Sequence, residues 1–500
     1  MQQSSLRPLS TDHLQTDLRG RSVRGGLLNV TSQGSQFLIQ SVATVVLARL
    51  LTPSDFGLVA MVSTVTGLGQ AFADLGLSEA TIQRKEISHD QVSALFWINV
   101  AIGLGLMLLT VSLAPVLAWF YRDPRIIGIT LVVSLTFLIG GLRVQPDAIL
   151  KRQMRFGSLA IRDVGSYALA VPVAIALAWR GAGYWALVAL PLILNFTVMA
   201  LSWVMVNWRP SLPRRDTQVG SMIAFGGNVA ASYFVITVSR SADNILIGRY
   251  AGAHPLGLYS KAYNLLMLPV RQLSAPAGSV AIPSFSRTQD DPERLARYYL
   301  RAVNLLMWIS APLFGFLFVA AQPVIVLILG NQWRAAAPVF QILVISALTQ
   351  LLLESTIWLL VSQGESQRLL KLLLIISPII VGSYAIGLPY GIKGVAISGS
   401  LVLLSILPWM LKYSFRGTNL ALRRIGQSLL YPISVSLGGV FFAELAVHLI
   451  GPRSIALHLL VVLLALVAVF AFSSLISPVR EEIMSFRKLL SELRYSNQTV

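Results

Sequence analysis

Two stretches of ten residues match each other in this chain: RLLTPSDFGL at 49–58 and RYAGAHPLGL at 249–258. Arg, Gly and Leu stand at the same places in both copies, which begin 200 positions apart. Each copy follows a long apolar segment and opens another. A helix–turn–helix element that recurs halfway along a chain indicates an internal repeat. We therefore expect two related halves.

The composition indicates a protein embedded in a membrane. Hydrophobic residues make up 55% of the 500 residues, charged residues 12%, and the mean hydropathy is +0.70. Soluble domains carry about 25% charged residues. The net charge of +18 is explained by basic residues that flank helices on the cytoplasmic side. We therefore expect no nucleic-acid partner.

Several classes of chemistry are excluded by what the sequence lacks. It has no cysteine and only five scattered histidines, so thiolate nucleophiles, disulfides and metal clusters are not expected. It contains no Gly-rich phosphate loop followed by Lys and Ser or Thr. We therefore predict no catalytic residues, no metal site and no cofactor, and do not expect an enzyme. The polar first 26 residues are unlike a cleavable signal peptide, so the first apolar segment is expected to remain as a helix.

The apolar segments are long enough to cross a bilayer many times, since a spanning helix needs about 20 mostly apolar residues. The sequence predicts an all-α polytopic membrane protein with fourteen transmembrane helices. They lie at 27–51, 56–77, 92–120, 126–147, 158–179, 183–206, 219–249, 255–283, 297–329, 336–361, 367–389, 392–413, 424–449 and 454–477.

The repeat divides these helices into two lobes of six, with the last two helices outside the repeat. The predicted organisation is a cytoplasmic N-terminal tail (1–26), an N-lobe (27–206), a cytoplasmic linker (207–218), a C-lobe (219–415), helices 13 and 14 (424–477) and an amphipathic cytoplasmic tail (478–500). Transporters built from two repeats hold their substrate between them. The pattern therefore predicts a two-lobed transporter.

The distribution of Lys and Arg predicts the orientation of the helices. Of 39 such residues, 28 fall on segments that share a side with the N-terminus and 8 on the opposite side. By the positive-inside rule, both termini are predicted to be cytoplasmic. The remaining three, Arg240, Lys261 and Arg271, are assigned to neither side.

Polar side chains form rows on several predicted helices. Asn29, Gln33, Gln36 and Gln40 follow helical spacing along one face of the first helix. Other helices contribute Gln70, Asn228, Asn264 and Gln350. Such rows either line a polar cavity or join helices by hydrogen bonds, and the sequence leaves both alternatives open.

The charges within the spans are the strongest functional signal. A basic side chain at mid-bilayer costs about 2.5–3.5 kcal/mol, and Arg271 lies mid-helix with no acidic neighbour on its own turn. It therefore needs either an anionic ligand or a distant partner such as Glu354 or Asp74. The acids Asp74, Glu354 and Asp243 are also candidates for binding a coupling ion.

The remaining basic residues have two interpretations each. Arg240 either pairs with Asp243, three residues on, or contributes with Lys261 to an anion site. Arg49 and Arg249 end their predicted helices at the outer face. They are either interfacial anchors or, as equivalent positions of the repeat, gate residues.

Four segments carry a resemblance to a known family. They read LARLLTPSDFGLVAM (47–61), ADNILIGRYAGAHPLGLYSKAYNLLMLP (242–269), AIPSFSRTQDDPERLARYYLRAVNLLMWISAPLFGF (281–316) and LGNQWRAAAPVFQIL (329–343). They resemble the bacterial polysaccharide flippases of the Wzx type, in the multidrug/oligosaccharidyl-lipid/polysaccharide exporter superfamily. The similarity covers residues 20–420, and the segment after Asp243 is its most specific part.

The resemblance implies two six-helix lobes in a V and two further helices in the bacterial inner membrane. It also implies flipping of undecaprenyl-diphosphate-linked oligosaccharides for exopolysaccharide or lipopolysaccharide biosynthesis. A cationic cavity would hold the diphosphate, and the matching basic positions are Arg271, Lys261, Arg240, Arg49 and Arg249. The implied partners are this lipid-linked substrate, membrane lipids, and a polysaccharide polymerase with its export machinery. The alternatives are a drug/cation antiporter of the same superfamily and a membrane polymerase or ligase of the same pathway.

Overall fold

The described part of the chain is almost entirely α-helical. The structure, a computed structural model, describes residues 18–70, 78, 81–82, 84, 87–212, 237, 241–475 and 479–480. The helices of the first half are α1 (Leu18–Leu50), α2 (Pro53–Gln70), α3 (His89–Tyr121), α4 (Arg125–Arg152), α5 (Phe156–Trp179) and α6 (Tyr184–Met205). Within the described ranges, no residue is assigned to a β-strand.

The second half begins with a described helical segment at 241–250, here called α7. The helices that follow are α8 (Ala253–Ser286), α9 (Pro292–Val319), α10 (Ala337–Ser362), α11 (Ser366–Gly387), α12 (Gly391–Ser414), α13 (Leu422–Ile450) and α14 (Ile455–Ser473). A short helix, Ala321–Leu329, and a 3₁₀ turn, Asn331–Ala336, connect α9 to α10.

This architecture confirms the predicted fold class. Among the described residues, ten helical segments are long and apolar enough to cross a membrane. Many of these helices contain proline, for example Pro172 in α5 and Pro312 in α9. Membrane helices tolerate proline because neighbouring groups satisfy the freed carbonyls. Parts of the second and seventh predicted helices and nearly all of the amphipathic tail lie outside the described residues.

One predicted helix is divided in the structure. The sequence predicted a continuous ninth helix over 297–329, but α9 ends at Val319 and the short helix begins at Ala321. Pro323 lies four residues after Val319, lacks the amide hydrogen that would bond to the Val319 carbonyl, and crowds that carbonyl with its ring. The helix ends here, and the short helix begins with the bond from Val324 N to Ala320 O at 2.9 Å.

The contacts divide the chain into two compact units, with the boundary between Gly257 and Leu258. In the first unit, α3 packs on α4, and α5 packs on both α1 and α6. In the second unit, α12 packs on α10 and α11, and α13 packs on α9 and α14. Val319 and Val324 meet Ala443, Val462 and Leu466 in a buried apolar cluster. This cluster fixes the α13–α14 pair against the end of α9.

Candidate functional site

The two repeated turns have equivalent helix boundaries. In the first copy, one helix ends at Leu50 and the next begins at Pro53. In the second copy, one helix ends at residue 250 and the next begins at Ala253. The first turn is capped by Thr52, whose N and Oγ1 donate to Asp55 Oδ2 at 2.9 and 2.7 Å. The second turn has Gly252 at the equivalent position, with a φ of 89°. The two turns thus differ in local backbone geometry: Thr52 is held by side-chain hydrogen bonds, whereas Gly252 adopts a positive φ that glycine allows.

The two turns also contact each other, and all of this contact lies within the first unit. A Cβ on Gly57 would overlap the carbonyl oxygen of Ala253, and a Cβ on Gly257 would overlap the carbonyl oxygen of Pro53. Ser54 Oγ lies 3.4 Å from His254 Nδ1, which is 200 positions away along the chain. Only glycine permits so close an approach of two backbones. The glycines matched in the sequence are therefore the residues at which the copies meet.

Arg249 lies beside this contact. Its guanidinium is 5.7 Å from the centre of the Phe120 ring and 5.4 Å from that of Tyr250. Such distances are within the range of a cation–π interaction. Arg49, its equivalent in the other copy, is exposed at the end of α1. Stacking on Phe120 fits the anchor interpretation of Arg249, and the gate role of both residues stays a prediction.

The polar row of α1 lies on a face that the chain leaves largely uncovered. Asn29, Gln33 and Gln40 are exposed, and Gln36 is half-buried. Gln33 Nε2 donates to Asn29 Oδ1 at 3.2 Å, and Gln36 Nε2 donates to Ser32 Oγ at 3.0 Å. Both hydrogen bonds run along α1 itself rather than to another helix. A role in lining a cavity remains a prediction.

Three residues that were predicted to bind the substrate lie along α8. Lys261 is half-buried and makes polar contacts within the chain. Asn264 and Arg271 are exposed, which means that other residues of the chain do not cover them. Arg271 lies 18 residues from the start of α8 and 15 from its end, so it is close to the midpoint of a helix about 51 Å long. Among the described residues it has no hydrogen-bond or ion-pair partner.

The other predicted residues lie on different helices. Gln350 and Glu354 are half-buried on α10, and Glu354 has no described polar partner. Gln70 is exposed at the end of α2, and Asp243 is buried in α7, where its Oδ1 accepts from Asn244 N at 2.7 Å. Asp74, Asn228 and Arg240 lie outside the described residues. No three His, Asp or Glu of the described ranges converge on a possible metal position.

The structure contains a buried ionic network that the sequence analysis missed. Asp147 of α4 accepts from Arg162 of α5 at 2.6 Å, from Arg143 at 3.1 Å and from Ser202 of α6 at 2.7 Å. Asp163 also pairs with Arg162 at 2.6 Å. Arg162 and Asp147 are both buried. The network joins three helices of the first unit. Arg143 and Asp147, four residues apart on one helix, were the only local signal for it.

We expect Asp147→Ala to destabilise the first unit, because it leaves Arg162 buried with one carboxylate fewer. Breaking a buried ion pair costs about 3–5 kcal/mol. The matched control is Asp123→Ala, which removes a partly exposed pair with Arg125 worth about 1 kcal/mol. Thermal unfolding of the purified variants in detergent measures the difference. Equal losses in the two variants would contradict a structural role of the network.

The fold is similar to that of solved membrane transporters. The fold matches that of the lipid II flippase MurJ with a TM-score of 0.71, over 90% of this chain and 98% of that one, at 12% identity. It also matches an inward-facing multidrug resistance MATE family transporter of the MOP superfamily with a TM-score of 0.55, over 79% and 95% of the two chains, at 15% identity. At such identities the likeness shows the fold alone, which is an all-helical membrane-transporter fold.

The sequence comparisons give the family. Residues 46–338 match the family model described as polysaccharide biosynthesis protein, and the chain belongs to this family. The family membership predicted from the four resembling segments is thereby confirmed.

Three curated relatives are similar over most of their length. The teichuronic acid biosynthesis protein TuaB of Bacillus subtilis is 26% identical over 66% of this chain and 68% of its own. The lipopolysaccharide biosynthesis protein WzxC of Escherichia coli is 25% identical over 61% and 62%. The succinoglycan biosynthesis transport protein ExoT of Rhizobium meliloti is 26% identical over 64% and 64%. The chain thus spans about two thirds of the length of each relative.

Proposed function

We propose that this protein flips undecaprenyl-diphosphate-linked oligosaccharide repeat units from the cytoplasmic to the outer leaflet of the bacterial inner membrane, with both termini in the cytoplasm. The family supports a role in polysaccharide biosynthesis. ExoT is named as a transport protein and MurJ as a lipid II flippase. The proposal extends these roles of its relatives to this chain.

The observation that carries the proposal is the position of Arg271. Its guanidinium is central in α8, uncovered by the chain and without a described partner. An unpaired cation at membrane depth is costly. The presence of Arg271 there is explained by a ligand that brings negative charge. A diphosphate matches this requirement, because arginine binds phosphate oxygens through two parallel hydrogen bonds. Lys261 and Arg249 are proposed to assist, as is Arg240, and the amides of α1 are proposed to solvate the sugars.

The proposed mechanism is alternating access. The diphosphate and sugars occupy a polar chamber. The polyprenyl chain remains in the lipid, where its apolar surface is not exposed to water. Asp243 and Glu354, together with Asp74, are the proposed candidates for binding a coupling ion. In this scheme the protein carries the substrate without altering its bonds, which requires no catalytic residue and no cofactor.

The test is the location of lipid-linked repeat units in cells with and without the gene. In the deletion strain, radiolabelled repeat units should accumulate and stay inaccessible to a glycosidase added to spheroplasts. Restoring the gene should return them to the outer leaflet. Normal translocation in the deletion strain would contradict the proposal. Altered drug resistance with normal polysaccharide would favour an antiporter, and altered polymer length with normal translocation would favour a polymerase.

A further inference from the structure

The second unit contains a cavity of about 630 Å³ that the proposed transport mechanism does not use. It lies where α9 passes through the short helix Ala321–Leu329 into α10, and where α13 turns into α14. Its volume is within the usual range of small-molecule sites, about 300–1,000 Å³. The α14 helix, Ile455–Ser473, is only just long enough to cross the hydrocarbon core. The cavity at its first residue therefore lies at the level of the lipid headgroups.

The lining of the cavity is divided by polarity. One part is apolar and includes Val319, Val326 and Ile455. The other part carries Arg334, Arg453, Glu444 and His458. A wall of this kind suits a molecule with a polar head and an apolar continuation, because each part of the molecule then meets its own kind of surface.

Two arginines line the cavity, and one of them adjoins the start of a helix. Arg334 donates to Gln322 at 3.1 and 3.2 Å, once the Gln322 amide is placed so that its oxygen accepts. This bond holds the Arg334 guanidinium in place. Arg453 has no hydrogen-bond or ion-pair partner among the described residues. It immediately precedes Ser454, the N-cap of α14, where the free amides and the helix dipole also favour a negative charge.

A further group in the cavity calls for a second charge. The Glu444 carboxylate is exposed, lines the same cavity and has no described partner. A phosphate alone would satisfy the arginines and leave this carboxylate unmatched. A ligand that also carries an ammonium group would satisfy both.

We propose that this cavity binds the zwitterionic headgroup of a phospholipid of the phosphoethanolamine class. The phosphate binds Arg453 and Arg334, the primary ammonium binds Glu444, and the acyl chains leave along the apolar wall. The three N–H groups of a primary ammonium donate to a carboxylate, whereas a trimethylated ammonium has no hydrogen to donate. The site is therefore expected to prefer phosphatidylethanolamine to phosphatidylcholine.

Native mass spectrometry of the purified full-length protein tests the proposal. The protein, in detergent micelles, is titrated with phosphatidylethanolamine, phosphatidylcholine, phosphatidylglycerol, inorganic phosphate and a sugar phosphate. We expect the wild type to retain phosphatidylethanolamine preferentially. Arg453→Ala should reduce this retention about ten-fold or more, which corresponds to the loss of one charged hydrogen bond. Glu444→Gln should abolish the preference over phosphatidylglycerol.

Lys393→Ala is the matched control, since it removes an exposed cation at the start of α12, away from the cavity. Its lipid retention should equal that of the wild type, and unchanged gel-filtration profiles show that each variant is folded. Equal retention of the three lipids, or wild-type retention by Arg453→Ala, would overturn the proposal. So would binding of phosphate or sugar phosphate in preference to lipid. None of these measurements depends on flipping, so the proposed function can fail while this site stands.

Discussion

Replacing Arg271 with alanine is expected to abolish polymer export while the protein remains in the membrane at its normal level. The side chain has no described partner within the chain, so its removal breaks no described bond. If it binds the diphosphate, a charged hydrogen bond worth up to about 3 kcal/mol is lost. At about 1.4 kcal/mol for each factor of ten, this lowers substrate binding on the order of a hundred-fold. Surface polysaccharide in a complemented deletion strain is the measurement.

The matched control for Arg271 is Arg297, an exposed arginine of α9 that also lacks a described partner. Arg297 lies near a helix end on the predicted cytoplasmic side, so Arg297→Ala should export normally. Arg271→Lys keeps the charge but loses the two-pronged geometry of the guanidinium, and it should restore export in part. Normal export by Arg271→Ala would remove this residue from the mechanism.

A covalent link between residues 54 and 254 is expected to stop polymer export. The chain has no cysteine, so Ser54→Cys with His254→Cys introduces the only thiols. The native side chains lie within 3.4 Å of each other, which a short bis-methanethiosulfonate reagent spans. Because alternating access moves one repeat against the other, we expect export to cease on cross-linking and to return on reduction. Incorporation of labelled sugars into surface polymer follows both steps.

Each single cysteine variant, treated with the same reagent, controls for its chemical effect and should retain export. Two glycine substitutions test the same contact without a cross-linking reagent. Gly57→Ala forces the two turns apart, because its Cβ meets the Ala253 carbonyl. Gly67→Ala on the same helix adds the same methyl group, with nothing described within 4 Å of it. Export by the cross-linked double variant would show that this contact stays closed throughout transport.

The helices were predictable because membrane burial leaves a strong local signal. A run of about 20 apolar residues bounded by Gly, Pro and charge fixes a span almost independently of its neighbours. The sequence prediction for the first apolar helix began at 27, whereas α1 begins at Leu18, since helical structure can extend beyond the membrane. The break at Ala320 had a local cause in Pro323, but eight other described helices keep internal prolines without breaking.

The side-chain groupings were much less predictable. The row on α1 follows from spacing alone, because residues three and four apart share a face. The Asp147 network instead joins residues separated by 15 and 55 positions, and no helical period connects them. The cavity brings Arg334 near Arg453 through the packing of α13 and α14 on α9. Both depend on helix packing, which a single sequence does not specify.

The contact of the repeated turns carries a consequence for the origin of the chain. Position 57 meets 253 while position 257 meets 53, which is the reciprocity of a two-fold homodimer, where one patch serves twice. A half-length ancestor that associated with its own copy would have made this contact through a single patch. Gene fusion then frees each patch to mutate alone. The threonine cap of one turn and the glycine of the other are differences of the kind that identical subunits could not have acquired.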